Sequence, residues 1–210
     1  MAKRFVDDAA KEAFTEAIRK VESDSSVEVV IKVRHHSGSY LHADLVFGIF
    51  AGLVTLAFML YSPSLHFSIT AIFLDPIIVG VAFGLLSTQL PFVRRHLTPP
   101  SRRRRRILQA AQAGFFRRGV RMTSGRTGLL VYASLLEREV ELVCDSGVEE
   151  AMADGEIEAE RERLTRALRA DFRGVALAKA VEGLSDLCAT RLPGAEDDVN
   201  ELPDQVYFHP

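Results

Sequence analysis

The chain has only two cysteines, Cys144 and Cys188, and they stand too far apart to form a C-x-x-C pair. That excludes a zinc-ribbon or thioredoxin-type motif, and it leaves both thiols as small buried hydrophobes in a reducing compartment. No G-x-S-x-G, H-E-x-x-H or Walker loop occurs. The familiar signatures of nucleophile-elbow hydrolases, zinc proteases and P-loop NTPases are therefore missing. Charge is absent from Leu45 to Tyr61, LVFGIFAGLVTLAFMLY, over seventeen residues. Phe67 to Val93 is apolar as well, broken only by Asp75. Acid is absent from Arg94 to Arg126, a stretch that holds eleven arginines.

The charge-free runs are the strongest signal present. A spanning helix needs about 20 mostly apolar residues, with roughly 17 as the lower limit. Leu45–Tyr61 meets that limit, and Ala43 can extend it. The second span has two candidate starts. One lies near Phe67, with Asp75 inside the helix. The other lies at Pro76, with Asp75 as N-cap and Pro at the first helical position. The second is preferred, because an unpaired carboxylate in hydrocarbon is expensive. The expected hairpin occupies residues 43–93, with spans at about 45–61 and 76–93. Gly48 and Gly52, and likewise Gly80 and Gly84, have the spacing of a helix-contact motif. The first span begins more than forty residues into the chain and no small-residue cleavage site follows it, unlike a signal peptide.

Orientation follows from the arginines. Loops rich in Lys and Arg stay in the cytoplasm, and Ser62–His66 between the spans carries no formal charge beyond His66. Both termini are therefore expected inside a bacterial cytoplasmic membrane. The net charge of −2 hides a segregation: Glu137 to Pro210 holds nineteen acids against eight bases. Arg94, Arg95 and the run Arg102, Arg103, Arg104, Arg105 and Arg106 lie beside the second span. They are expected to face anionic lipid head groups, at about 1 kcal/mol each near the surface. RNA binding by the five-arginine run is the minor alternative; without interleaved aromatics, nucleic acid is the less favoured partner.

The soluble arms read as helix, strand, hairpin, helix, strand, strand, helix, helix. Ala10, Ala13, Phe14, Ala17, Ile18 and Val21 have helical spacing. Val27–Val33 is a β-branched run. A helix over 101–118 carries Ile107, Leu108, Ala111 and Phe115 on one face. Leu129–Ala133 and Val140–Asp145 read as paired strands, followed by helices from Val148 and over 175–191. A lone strand is not stable, so the first-arm strand should pair with those of the second. The fold class is α/β: one small mixed-sheet domain flanked by helices, split as 1–42 and 94–210 around the inserted hairpin.

Three stretches together resemble one family: VESDSSVEVVIKV, RMTSGRTGLLVYASLLEREVELVCDSGV and the ending DDVNELPDQV. They are similar to the TPM-domain family, and in particular to its short membrane-bound bacterial members. The segments that carry the resemblance are Arg126, Thr127 and Gly128, and Asn200, Glu201, Leu202, Pro203 and Asp204. The resemblance implies a compact domain with a small central sheet between helices. It implies relatives of several kinds: phosphatases, metal binders and accessory factors of membrane assemblies. Glu28 and Asp145 match acidic positions of the pattern. With Glu201 and Asp204 they form the candidate metal set, suited to Ca²⁺ or Mg²⁺. His35 and His36, adjacent on a strand, point to opposite faces and do not chelate one ion. The reading is a membrane-anchored accessory or interaction module at the cytoplasmic face, with another membrane protein as its partner and no catalytic constellation. A divalent-metal-dependent phosphatase is the alternative.

Overall fold

The structure, a computed structural model, describes residues 5–194 and 200–209. Part of the DDVNELPDQV pattern, residues 197–199, lies outside them. The chain divides into two compact units. One contains the chain up to Ser37 and from Arg104 onward, and the other is Gly38–Arg103.

In the first unit, α1 (Asp8–Asp24) starts where the Asp7 carboxylate accepts the Ala10 N–H at 2.9 Å. It buries Ala10, Phe14, Ala17, Ile18 and Val21, the face expected from their spacing. Four strands among the described residues form one mixed sheet in the order β3-β2-β1-β4: β1 (Glu28–Arg34), β2 (Gly128–Ser134), β3 (Glu139–Cys144) and β4 (Val206–His209). β1 runs parallel to β2 and to β4, and β3 runs antiparallel to β2. A parallel pair needs a long crossover, and the connection from β1 to β2 contains both the hairpin and α5 (Pro100–Arg117).

The period of two divides the sheet residues between two cores. Val29, Ile31, Val33, Leu129 and Val131 join Phe14, Ile18, Leu164, Leu168, Leu177 and Val181 on one face. Val30, Leu130 and Tyr132 join Ile107, Ala111 and Phe115 of α5 on the other. The architecture is thus a mixed α/β sheet covered by helices on both faces.

Three local expectations change. The helix from Val148 is two helices, α6 (Ser146–Ala151) and α7 (Glu156–Ala170), separated at Gly155, whose φ is 83°. The helix expected over 175–191 is also two, α8 (Gly174–Glu182) and α9 (Ser185–Arg191), either side of Gly183. The ending, to which the sequence pattern assigns no element, carries β4. A four-residue strand gives too short an alternation to stand out, and it exists because β1 offers a free edge.

The second unit consists of α2 (Leu41–Tyr61), α3 (Ile69–Ser87) and the short α4 (Pro91–Leu97). α2 and α3 are long and apolar enough to cross a membrane, and α3 buries none of its apolar window. The start of α3 corrects the expected 76–93 span. Ser68, not Asp75, is the N-cap, accepting the Ala71 N–H at 3.2 Å, and Pro76 lies inside the helix. An interior proline costs about 3 kcal/mol and removes one hydrogen bond. Continuing the helix through it still pairs the backbone from Ile69 to Asp75.

Candidate functional site

The hairpin is built on its glycines. A Cβ on Gly48 would stand 2.5 Å from the Gly80 carbonyl oxygen, and one on Gly52 would stand 2.8 Å from that of Pro76. The two backbones therefore touch, as small residues four apart allow. At one end Asp44 forms a clamp that sequence reasoning missed. Its Oδ1 accepts from Arg94 Nε at 3.0 Å and from Ser87 Oγ at 2.5 Å, and its Oδ2 accepts from Arg94 Nη2 at 2.8 Å. A two-point guanidinium–carboxylate pair is the strong form of the interaction. The outer surface is apolar, with Ile69 at 87% exposure and Phe73 at 70%.

The four carboxylates of the candidate metal set are engaged elsewhere. Glu28 accepts the backbone N–H groups of Glu201 and Leu202 at 3.2 and 3.1 Å. Glu201 accepts from Ser124 N–H at 3.0 Å and from its hydroxyl at 2.5 Å. Asp204 accepts from Arg19 Nε at 3.1 Å and Asn200 Nδ2 at 2.6 Å. Asp145 caps α6 through Oδ1, accepting from Ser146 N–H at 2.8 Å, while its buried Oδ2 takes no hydrogen bond among the described residues.

Calcium takes six to eight oxygens. Among the described residues no three His, Cys, Asp or Glu side chains group as a metal site. In this arrangement Glu28, Asp145, Glu201 and Asp204 do not group as a set of ligands for Ca²⁺ or Mg²⁺ among the described residues. These acids spend their oxygens on N–H and O–H donors of their own chain.

What they build is a strap. Glu28 and Ser124 hold the N-E-L-P-D segment at two points, Leu202 packs on the α5 side of the sheet, and β4 follows. Glu22, not singled out in the sequence, completes it by accepting from Val29 N–H at 3.0 Å and from Asn200 Nδ2 at 3.3 Å. Burial pushes the Glu22 carboxyl up to about 8; the Val29 N–H opposes this, and the charges of Glu28 and Asp204 add to it.

The R-T-G segment has a structural task as well. Arg126 has φ 52°, and Thr127 N–H donates to Thr123 Oγ1 at 3.0 Å. A Cβ at Gly128 would stand 2.1 Å from the Val120 carbonyl oxygen, so only glycine fits.

The arginines expected to face lipid divide into groups. Arg94 is engaged in the Asp44 clamp, and Arg104 donates to Glu158 Oε1 at 3.0 Å. In both cases a carboxylate lies within reach of the guanidinium. Arg102 and Arg105 are exposed, and Arg95, Arg103 and Arg106 are half-buried.

A second concentration of positive charge was not anticipated. Lys32, Arg34, Arg117, Arg118 and His209 line one cavity of about 470 Å³ in the first unit. They come from β1, from the end of α5 with its following residue, and from β4. The strand residues share a face because Lys32 pairs with Tyr207, and Arg34 with His209, across the β1–β4 register. In the sequence these five residues are scattered over 32–209, and one of them, His209, is brought in by the unpredicted β4 register.

No family model matches the sequence, and neither does any curated protein. Among solved structures, the chain is similar to the NMR structure of the BA42 protein from the psychrophilic bacterium Bizionia argentinensis. The TM-score is 0.59 at 13% identity, covering 100% of this chain and 99% of that one. This likeness concerns the fold alone.

Proposed function

We propose that the protein is a membrane-anchored accessory or interaction module, with its α/β unit on the cytoplasmic side of a bacterial inner membrane. The observation that carries this reading is the hairpin. Its helices meet through glycine backbones and close on an Asp44–Arg94 pair, while the outer surface remains apolar. A soluble surface does not present a patch of this size without a partner, and a hydrocarbon layer is the partner whose thickness matches helices of 21 and 19 residues. The eleven arginines between Arg94 and Arg126, set against the neutral Ser62–His66 connection, support cytoplasmic placement of both ends.

The resemblance to the short membrane-bound TPM proteins agrees with this assignment. Another membrane protein, or anionic lipid met by Arg102 and Arg105, is the natural contact for a domain so tethered. Metal-dependent phosphoester hydrolysis draws no support from carboxylates already engaged by their own chain.

Accessibility labelling tests the reading. Ser64→Cys, in the connection, reacts with an impermeant maleimide on intact cells, while Ser101→Cys reacts only after the membrane is opened. Labelling of both from outside, or release of the chain by alkaline carbonate, rules the assignment out.

A further inference from the structure

The cavity lined by Lys32, Arg34, Arg117, Arg118 and His209 gathers positive charge from three separate elements. Several arginines of the unit are matched with acid: Arg19 with Asp204, Arg104 and Arg161 with Glu158, Arg163 with Glu160, Arg169 with Glu139, and Arg191 with Glu156. Acid is plentiful in the chain, yet among the described residues no carboxylate forms an ion pair with Lys32, Arg34, Arg117 or Arg118. Four positively charged side chains converge there with no carboxylate partner among the described residues. Like charges held together in a concave, partly desolvated space repel, and natural folds retain such an arrangement where an anion neutralises it.

The cavity is also shaped. Lys32 is 6% exposed on β1. Burial lowers its affinity for a proton, and Arg34, Arg118 and Arg117 lower it further. Its stem lies against Gly114 of α5, where a Cβ would stand 3.0 Å from Lys32 Nζ and 3.4 Å from Leu130 Cδ2. Glycine at that position gives the lysine its room.

Arg118 is held in place from two sides. Its guanidinium stacks over the Tyr207 ring at 3.7 Å, and its Nη2 donates to His209 Nε2 at 3.1 Å. Arg has no acceptor, so His209 accepts and its Nε2 carries no proton. Burial, then the charges of Lys32, Arg118 and Arg34, hold the imidazole below its ordinary value.

Cations at the end of α5 also suit the helix dipole, which accounts for Arg117 and Arg118 near that terminus. The dipole does not account for Lys32 and Arg34, which are strand residues one turn of the pleat apart on the same face. At about 470 Å³ the space lies within the range of small-molecule sites, roughly 300–1,000 Å³. Guanidinium forks match the oxygens of a phosphate in pairs, and a lysine supplies a point charge.

We propose that this cavity is a binding site for a phosphomonoester, with the phosphate held by Lys32, Arg34, Arg117 and Arg118 and the ligand body against Tyr207 and His209. The phosphate belongs either to a free small molecule or to a lipid head group. The site goes beyond the anchoring role, since it lies within the α/β unit and is read independently of membrane topology.

Calorimetric titration of the full chain in phosphatidylcholine nanodiscs with glycerol 3-phosphate tests it. One site per chain is expected, weakened at least tenfold by Arg118→Gln and by Lys32→Gln, and unchanged by Arg105→Gln. Arg118→Lys keeps the charge but loses the fork, and should weaken binding several-fold at an unaltered unfolding temperature. Absence of binding, equal binding by Arg118→Gln and Arg118→Lys at the parent value, or loss in Arg105→Gln as large as in the cavity variants overturns the proposal.

The source is read in discs containing phosphatidic acid. Suppressed binding of glycerol 3-phosphate there, to the parent and equally to Arg105→Gln in the same discs, assigns a lipid head group to the site. Unchanged binding assigns a free phosphomonoester, and both results retain the site.

Discussion

Single residues decide how the strap behaves with pH. Burial pushes the Glu22 carboxyl up to about 8 in the folded chain, from an ordinary value of 4.5. A carboxyl raised on folding favours the folded state most when protonated. Its contribution is complete below about 4.5 and is lost as pH rises through about 8. Glu22→Gln cannot ionise, so the variant should hold its unfolding temperature from pH 5 to 8.5 where the parent declines. The readout is the difference between the two melting curves as a function of pH, and a difference that does not vary with pH would contradict the assignment. Gly128 is a second decisive residue. Its β1 partner in register is Glu28, and the Val120 carbonyl occupies the place of its side chain. Gly128→Ala should cost about 2 kcal/mol or more, since backbone rather than a flexible tip must move. Denaturant unfolding of the parent and the variant measures it.

At the scale of elements, the hairpin is the part whose packing is most sharply determined. Gly48→Leu places a side chain where the Gly80 carbonyl stands, so α2 and α3 must separate. The hairpin should then lose thermal stability, while the unfolding of the α/β unit, followed separately, is unaffected. The Asp44–Arg94 pair gives a second expectation, because removing one partner of a mostly buried charge pair leaves the other uncompensated. Asp44→Asn should destabilise the hairpin by about 2 kcal/mol, and adding Arg94→Gln should recover part of that loss. A double-mutant cycle in detergent tests both; additive losses would show that the pair is uncoupled.

For the whole molecule, the cysteines report the integrity of the α/β unit. Burial pushes both thiols up to about 12, and the thiolate is the reactive form. Neither should react with a maleimide at neutral pH until the unit unfolds, when both should react together. Rapid labelling of the native chain would show that one of the two packing layers is open. The same inertness lets engineered cysteines in the hairpin be read without background.

How much was legible in advance differs between elements for physical reasons. α1 declares itself by a long 3.6-residue period, and β1 by an unbroken β-branched run; such patterns survive any tertiary setting. β4 does not, because Val206–His209 is too short to show a period and depends on the edge of β1. Pro76 misled in the opposite direction, because the usual meaning of proline holds where water can satisfy a freed carbonyl. The candidate site shows the same division. Arginines contiguous in sequence drew attention, and two of them, Arg94 and Arg104, turned out to be engaged with nearby acids. The five cavity residues, dispersed from 32 to 209, carried no local signal.

The amino-acid sequence by itself determined the class: an α/β domain interrupted by two long apolar helices, with positive charge packed after them. It could do so because hydrophobic period and charge runs are local properties. The tertiary structure alone decided which charges find partners. Glu28, Glu201 and Asp204 hold a strap because N–H donors distant in sequence come within 3.2 Å of them. Lys32, Arg34, Arg117 and Arg118 became a cationic cavity because strand register and the end of α5 gather them where no carboxylate pairs with them among the described residues.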